Sequence, residues 1–503
     1  MNKILLKAFL SVSSWTGLSR VFGLLRDILL AAATGAGPIT DIFLVSFKLP
    51  NMFRRLTAEG ALVQSFLPEY TSQELKSSKN DANDLAQSIQ STLLISLLLF
   101  VLLAELFMGF VISCLAPGFK ENQTKFQMSI DFARITITYL PMISLVALWG
   151  SIAQASGRFL PLAAAPILLN LSLISGLILI LSMKVDPIWL AIMVPVGGIL
   201  QMIFVASWLI KLGRMPTLSF PKFNSKSYKV WKRFLPAALG AGLLQLNLLV
   251  DTILATLIGE GSVSYLYYAD RVSQLPLGII GIALGTVLLP NLSKAEAIND
   301  QEYIRNQLSE SLKLGNIFSI PASIAFIFIP FLIIEALFYR GSFSENDIKL
   351  VSIALTAYGV GLPAFIGIKV LQPGFFAMGD TMTPFRTSIF SVILNILLSL
   401  VLMKFLGYAG IALATSIVSY VVLTILLYLL WKRNRISLSF FKPTIIICIL
   451  GIPLTLLLII GESLTVRYNT LVALLILILI SSTFWFLIMH LLGFINLKRK
   501  PIP

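Results

Sequence analysis

Apolar residues run along this chain in long unbroken stretches, of which residues 92–103 are typical, separated by short polar or Gly/Pro-containing breaks. Runs of this length without apolar–polar alternation predict helices buried on all sides, not half-buried strands. A helix that crosses a bilayer needs about 20 such residues, and the breaks divide the chain into about fourteen candidates. They begin near Lys7, Ile39, Ser88, Gln127, Leu160, Pro187, Arg233, Ser262, Ser311, Asp347, Pro384, Tyr408, Thr444 and Tyr468. Barrel strands of the outer-membrane type would alternate over about ten residues, so that class is excluded. The predicted fold class is an all-α polytopic membrane protein with about 14 transmembrane helices.

Composition supports this. Of 503 residues 57% are hydrophobic and only 12% charged, with a mean hydropathy of +0.90; soluble domains carry about 25% charged residues. Two cysteines, Cys114 and Cys448, lie far apart in apolar segments and read as small core hydrophobes, not as a disulfide framework. Residues 1–10 place lysines before an apolar run, as a secretory signal does. Arg20 and Arg26 interrupt the run where cleavage would fall, which predicts a retained first span.

Charge then orients the spans. With the N-terminus in the cytoplasm, most of the 38 Lys and Arg residues fall on the cytoplasmic side, including the clusters at 211–233, 432–442 and 498–500. Seven fall outside: Lys120, Lys125, Lys184, Arg340, Lys349, Lys404 and Arg467. This bias predicts cytoplasmic N- and C-termini and an even number of spans. It also explains much of the +15 net charge as a basic face against anionic lipid, so no nucleic-acid partner is predicted.

An internal repeat organises the spans. At a constant offset of 222, Gly37 matches Gly259, Ala61-Leu62 matches Ala283-Leu284, and Leu67-Pro68 matches Leu289-Pro290. Leu140-Pro141 matches Leu362-Pro363 in the same register, and Ala155 and Gly157 match Ala377 and Gly379. The repeated unit holds six spans, an even number, so both copies cross in the same sense. The expected architecture is two parallel six-helix lobes around a central cavity, plus two extra C-terminal helices. The corresponding boundaries are 1–212 for the first lobe, 213–232 for a cytoplasmic interlobe linker, 233–432 for the second lobe, and 433–503 for the added helices and basic tail.

Eight cations remain within or at the edge of the spans: Arg20, Arg26, Lys48, Arg54, Arg55, Arg134, Arg271 and Lys369. A charge at the bilayer centre costs about 2.5–3.5 kcal/mol on insertion scales, so these must be paired, line a hydrated cavity, or hold a ligand. Deep acids available to them are Asp27, Asp41, Glu59, Asp251 and Asp270, with Glu105 and Glu335 nearer span ends. Cations stay in excess, which points to an anionic ligand. Spacing agrees: Arg20 and Asp27 are seven apart and share a helix face, as do Lys48 and Arg55, with Pro50 between them freeing a carbonyl. In the eighth span Asp270-Arg271 precede Pro276, Gly278, Gly281 and Gly285. Arginine's planar fork suits diphosphate.

Other charged positions read more plainly. Arg134, beside Asp131, and the single histidine, His490, read as interfacial. Asp251, isolated in the apolar run 243–258, is either a salt-bridge partner or a cation or proton site. With no nucleotide-binding loop, no His/Cys metal cluster and one histidine, catalysis has no support, and the reading is a transporter.

Three segments carry a resemblance: Ser19-Arg20-Val21-Phe22-Gly23-Leu24-Leu25-Arg26-Asp27, residues 40–70 (TDIFLVSFKLPNMFRRLTAEGALVQSFLPEY) and residues 262–294 (SVSYLYYADRVSQLPLGIIGIALGTVLLPNLSK). They resemble the signature of the MviN/MurJ family of lipid II flippases, in the multidrug/oligosaccharidyl-lipid/polysaccharide exporter superfamily. The resemblance implies alternating-access transport of the undecaprenyl-pyrophosphate-linked peptidoglycan precursor from the inner to the outer leaflet of the bacterial cytoplasmic membrane. It implies substrate-binding roles for Arg20, Arg26, Arg54 and Arg271, with Asp27, Asp41 and Glu59 as accompanying acids, and a groove for the lipid tail on the two added helices; the spacing above adds Lys48 and Asp270 to the candidate substrate-binding residues. It further implies a candidate sodium site at Asp251, Asn395, Ser399 and Thr415, with Ser399 standing where sodium-binding members have an aspartate, and Gln274 where some relatives have an acid. No organic cofactor is expected; sodium or the membrane potential is the candidate driving force, and lipid II, membrane lipids and cell-wall synthesis proteins are the expected partners. The alternatives are a flippase for another prenyl-pyrophosphate-linked glycan, of O-antigen type, and a multidrug exporter, whose cationic substrates favour an acidic cavity.

Overall fold

The structure, a computed structural model, describes residues 3–57, 61–218, 225–465 and 469–494, and every regular element among them is helical. The first ten helices are α1 (Lys3–Thr34), α2 (Pro38–Thr57), α3 (Ala61–Lys76), α4 (Lys79–Leu106), α5 (Met108–Leu115), α6 (Gln123–Ile137), α7 (Tyr139–Ala155), α8 (Leu160–Met183), α9 (Ile188–Lys211) and α10 (Ser225–Thr256). Nine more follow: α11 (Ser262–Pro276), α12 (Ile282–Ala297), α13 (Gln301–Phe328), α14 (Pro330–Phe338), α15 (Glu345–Ala377), α16 (Met382–Leu406), α17 (Tyr408–Lys432), α18 (Phe441–Thr465) and α19 (Thr470–Leu491). Eleven helical stretches among the described residues are long and apolar enough to cross a membrane, α6–α7 and α11–α12 each counting as one. The charge-bearing α1, α2–α3 and α10 bring the total to about the fourteen expected. The chain is a multi-pass membrane protein.

The repeat extends to helix boundaries. A shift of 222 carries Lys3–Thr34 onto Ser225–Thr256, Lys79–Leu106 onto Gln301–Phe328, and Gln123–Ala155 onto Glu345–Ala377. The last pair also ends alike. Gly157 and Gly379 are left-handed at φ 73° and 74°, and their N–H groups return to Gln154 O and Phe376 O at 2.9 and 3.0 Å. Only glycine enters that region without strain, which is why this position repeats.

Two compact units result, Met1–Ser264 and Tyr265–Pro503. In the first, α7 is the buried centre, packed against α3, α8 and α9; α1 lies along α8, and α2 along α6. The helix that opens the second repeat, α10, packs in this unit on α3 and α2. The loop before α6 comes so close to its end that a Cβ on Gly118 would overlap Thr256 O. In the second unit α15 is central between α13 and α17, with α12 against it, α16 on α17, α18 on α13, and α19 against α18 and α14.

Prolines inside these helices leave carbonyls without their backbone donors, and a neighbouring helix supplies a replacement. Pro50 frees Ser46 O, which accepts from Thr136 Oγ1 at 2.8 Å. Pro363 frees Gly359 O, which accepts from Ser323 Oγ at 2.7 Å. Pro321 frees Ile317 O, which accepts from the indole N–H of Trp485 at 2.7 Å. The last bond ties the added helix α19 to the middle of α13; Asn316 Nδ2, donating to Thr444 Oγ1 at 2.8 Å, does the same for α18.

One sequence expectation fails. Cys114 and Cys448 are exposed, not in the core; on a helix face turned to hydrocarbon a thiol is as acceptable as inside, and composition does not separate the two. Arg134, half exposed, pairs across helices with Glu105 (3.7 Å), and Asp131 accepts from Gln127 Nε2.

At the α15–α16 turn, Asp380 accepts from Thr383 Oγ1 (2.6 Å), Thr383 N (2.9 Å) and Arg433 Nη1 (2.6 Å). The Thr383 hydroxyl, then its N–H and Arg433, hold the Asp380 carboxyl at about 2, below the ordinary 3.8. A depressed carboxyl stabilises the fold above its unfolded pKa and loses that contribution as pH falls through the folded value. Asp380→Asn is expected to lower the thermal midpoint of the purified protein by about 1–2 °C at pH 7. The gap should narrow below about pH 4 and close near pH 2; a gap independent of pH, read by the same melts, contradicts the assignment.

Candidate functional site

Charge enters the first unit on α1. Arg26 donates through Nη2 to Asp27 Oδ1 (2.7 Å) and through Nη1 to Asn170 Oδ1 of α8 (3.1 Å); Asp27 is buried. Asn170 donates in turn to Ser19 O at 3.2 Å, so α8 holds both the side chain and the backbone of α1. Arg20, one face-turn earlier, is exposed.

On α2 the heptad spacing is realised. Lys48, Asn51, Met52 and Arg55 line one cleft, closed from α10 by Gln245, Leu248 and Leu249. Arg55 Nη1 donates to Gln245 Oε1 at 3.1 Å, and Arg54 Nε to Asn51 Oδ1 at 3.1 Å. Both acceptors are amide oxygens, which orient the guanidinium groups of α2.

Asp41, near the start of α2, has another setting. It is fully buried and accepts from Lys125 Nζ (3.0 Å), Gly261 N (2.8 Å), Ser264 N (2.9 Å) and Ser264 Oγ (2.8 Å). Lys125, expected in a loop, sits in the first turn of α6, 6% exposed, its ammonium 4.2 Å from the Phe119 ring centre. Asp41 therefore knots α2, α6 and the turn that leads into α11.

In the second unit, Arg271 stacks on Tyr267 (4.9 Å to the ring centre) and donates to Tyr267 Oη at 3.2 Å. Its neighbour Asp270 accepts from Gln274, one turn on. The helix then passes through a π turn, Leu277–Gly281, where the expected Pro/Gly break lies. Glu59 lies outside the described residues.

Of the candidate cation ligands, Asn395 and Ser399 are fully buried on α16, and Thr415 Oγ1 of α17 donates to Asn395 Oδ1 at 3.3 Å. Ser399 Oγ has no hydrogen-bond partner among the described residues. All three offer neutral oxygens. Asp251 is on α10, in the other unit. Sequence reasoning missed Lys125, Asn170, Gln245 and Tyr267. For Tyr267 the i,i+4 spacing to Arg271 was a usable signal; for the others none existed, since each partner lies over eighty residues away.

The family model and the curated relatives point to one family. The family model described as "Lipid II flippase MurJ" matches residues 30–494. A protein of Rhizobium tropici named "Probable lipid II flippase MurJ" is 35% identical over 437 residues, 86% of this chain and 82% of that one. Among solved structures, "Lipid II flippase MurJ, inward closed conformation" aligns with TM-score 0.80 at 26% identity, covering 96% of this chain and 99% of that one. An inward-facing multidrug transporter of the MATE family, in the MOP superfamily, aligns with TM-score 0.70 over 84% of this chain and 98% of its own; at 16% identity it shows the fold alone.

Asp41→Asn leaves the Lys125 ammonium buried against a neutral amide, and is expected to destabilise the protein by about 3–5 kcal/mol. Asp41→Asn with Lys125→Met should recover at least half of that, because no unpaired charge remains. Thermal or denaturant unfolding of the purified protein measures both; equal loss in the two variants shows that the pair is not the stabilising contact.

Proposed function

The chain belongs to the lipid II flippase MurJ family, and from that premise we propose that it moves lipid II, the undecaprenyl-pyrophosphate-linked disaccharide-peptide, from the inner to the outer leaflet of the inner membrane. The observation that carries this is the match along nearly the whole chain, with relatives named for that substrate at up to 36% identity. The arrangement of charge supports it. A diphosphate needs cations that are held in place, and Arg54 and Arg55 are each oriented by an amide oxygen. An exporter of cationic drugs needs the opposite sign in the same helices.

In the proposed cycle Arg20, Arg26, Lys48, Arg54 and Arg271 engage the diphosphate from the cytoplasmic side, while the prenyl tail stays in lipid along the added helices α18 and α19. The two lobes then rock to open outward. Both termini lie in the cytoplasm, as the Lys/Arg bias supports. Membrane potential, inside negative, favours outward transfer of the anion by about 2.3 kcal/mol per charge per 100 mV. We assign it as the driving force because Ser399 stands where sodium-binding members have an aspartate, which leaves Asp251 as the single carboxylate of the candidate cation site.

Depletion of the protein, with assay of precursor at the outer leaflet, tests the function. Precursor should accumulate inside, and Arg20→Ala, Arg54→Ala and Arg271→Ala, normally expressed, should each restore translocation at a rate lower by about tenfold or more. Full rescue by all three defeats the site; unchanged outward appearance on depletion defeats the function. In energised vesicles, collapse of the potential is expected to slow translocation and replacement of sodium by choline to leave it unchanged; the reverse result transfers the coupling to Asp251, Asn395, Ser399 and Thr415.

A further inference from the structure

Each unit ends one of its long helices on the same turn. After α9 comes Gly213, left-handed at φ 63°, and Arg214 N returns to Leu209 O at 3.0 Å; after α17 comes Asn434, left-handed at φ 57°, and Arg435 N returns to Leu430 O at 2.9 Å. The turn brings the following arginine back beside the helix end, where both its Nη groups grip one glutamate. Arg214 holds Glu74 at 2.9 and 2.5 Å, and Arg435 holds Glu296 at 2.5 and 2.9 Å. Glu74 and Glu296 stand 222 apart, at the same place in the repeat, near the C-terminal ends of α3 and α12.

These are not loose surface pairs. The four side chains are between 16% and 23% exposed, and two parallel N–H···O bonds fix orientation as well as distance. Their position matters more. In both units the gripped helix is the second arm of a pair, and the first arm carries the candidate headgroup cations: Lys48, Arg54 and Arg55 on α2, Arg271 on α11. Between α11 and α12 the break is the π turn Leu277–Gly281, directly after Pro276. A π turn inside a helix interrupts the regular hydrogen-bond ladder and marks a point where the two arms need not move as one rod.

We propose that Arg214–Glu74 and Arg435–Glu296 are positioning pairs for translocation. They pin the far arms, α3 and α12, to the ends of α9 and α17, so that the arms bearing the cations turn about a fixed point instead of sliding with the whole pair. Neither pair touches the ligand. Its identity rests on the lipid II reading above; the pinning itself does not.

Arg214→Lys and Arg435→Lys, singly and together, keep the charge and remove the fork. Three measurements follow: lipid II translocation in vesicles, binding of undecaprenyl pyrophosphate to the purified protein, and amide hydrogen exchange of Ala61–Lys76 and Ile282–Ala297. The double variant should translocate about tenfold more slowly while binding the probe within about twofold of wild type. Exchange should accelerate in Ala61–Lys76 with Arg214→Lys alone, and in Ile282–Ala297 with Arg435→Lys alone. An unchanged rate in the double variant, unchanged exchange in both peptides, or binding lost in proportion to rate overturns the proposal. Failure of the lipid II reading shows separately, as wild-type vesicles that move no lipid II, and exchange alone then decides the pinning.

Discussion

A cation inside a membrane-spanning helix cannot be left alone in hydrocarbon, and most of the polar architecture of this protein answers that constraint. Two kinds of answer occur. Lys125 is neutralised: Asp41 faces it at 3.0 Å, with three further donors filling the remaining lone pairs of the carboxylate. Arg54 and Arg55 are oriented by Asn51 and Gln245, whose amide oxygens each accept one N–H. The first answer builds a joint. The second fixes the direction of a guanidinium.

The backbone obeys the same rule by other means. Prolines bend the helices and release carbonyls, and Thr136, Ser323 and Trp485 meet three of them from neighbouring helices. Each such bond makes a gap in the backbone ladder depend on a particular packing partner, so the Pro50 turn of α2 is tied to α6, just as the Pro321 turn of α13 is tied to α19. The added helices are thereby part of the second unit's frame, held to α13 by side chains from each of them.

Much of this was legible in the chain. Hydropathy located the spans, because apolar runs of bilayer length have few other uses. Leu-Pro pairs in one register revealed a repeat in which three pairs of helical stretches coincide to the residue. The seven-residue spacing of Lys48 and Arg55 put both in one cleft. What stayed hidden was partnership across distance. Lys125 reads as a loop lysine until the fold sets it against Asp41, and nothing near Arg26 points to Asn170. The exposed Cys114 and Cys448 show the same limit from the other side: outward and inward apolar faces have one composition in a bilayer protein, so burial cannot be inferred from hydrophobicity there.

The repeat itself separates frame from ligand site. Positions that recur at the 222 offset are those whose geometry the fold needs twice: the Gly157 and Gly379 turns, the Leu-Pro pairs, and Glu74 with Glu296. Between α2 and α11 nearly every position diverges, the charged ones included. Asp270 stands opposite Lys48 in the register, Pro276 opposite Arg54, and Leu277 opposite Arg55, whereas Arg271 stands opposite Leu49. A symmetric frame gives two equivalent faces, but a lipid with a single diphosphate and a single tail is not symmetric, and it can satisfy only one face of a duplicated site. Two matching sets of arginines would leave one set without its anion, at the expense that an unpaired charge carries in a low dielectric. Divergence at these positions, with the frame retained, is what a duplicated fold acquires when it carries one asymmetric anion.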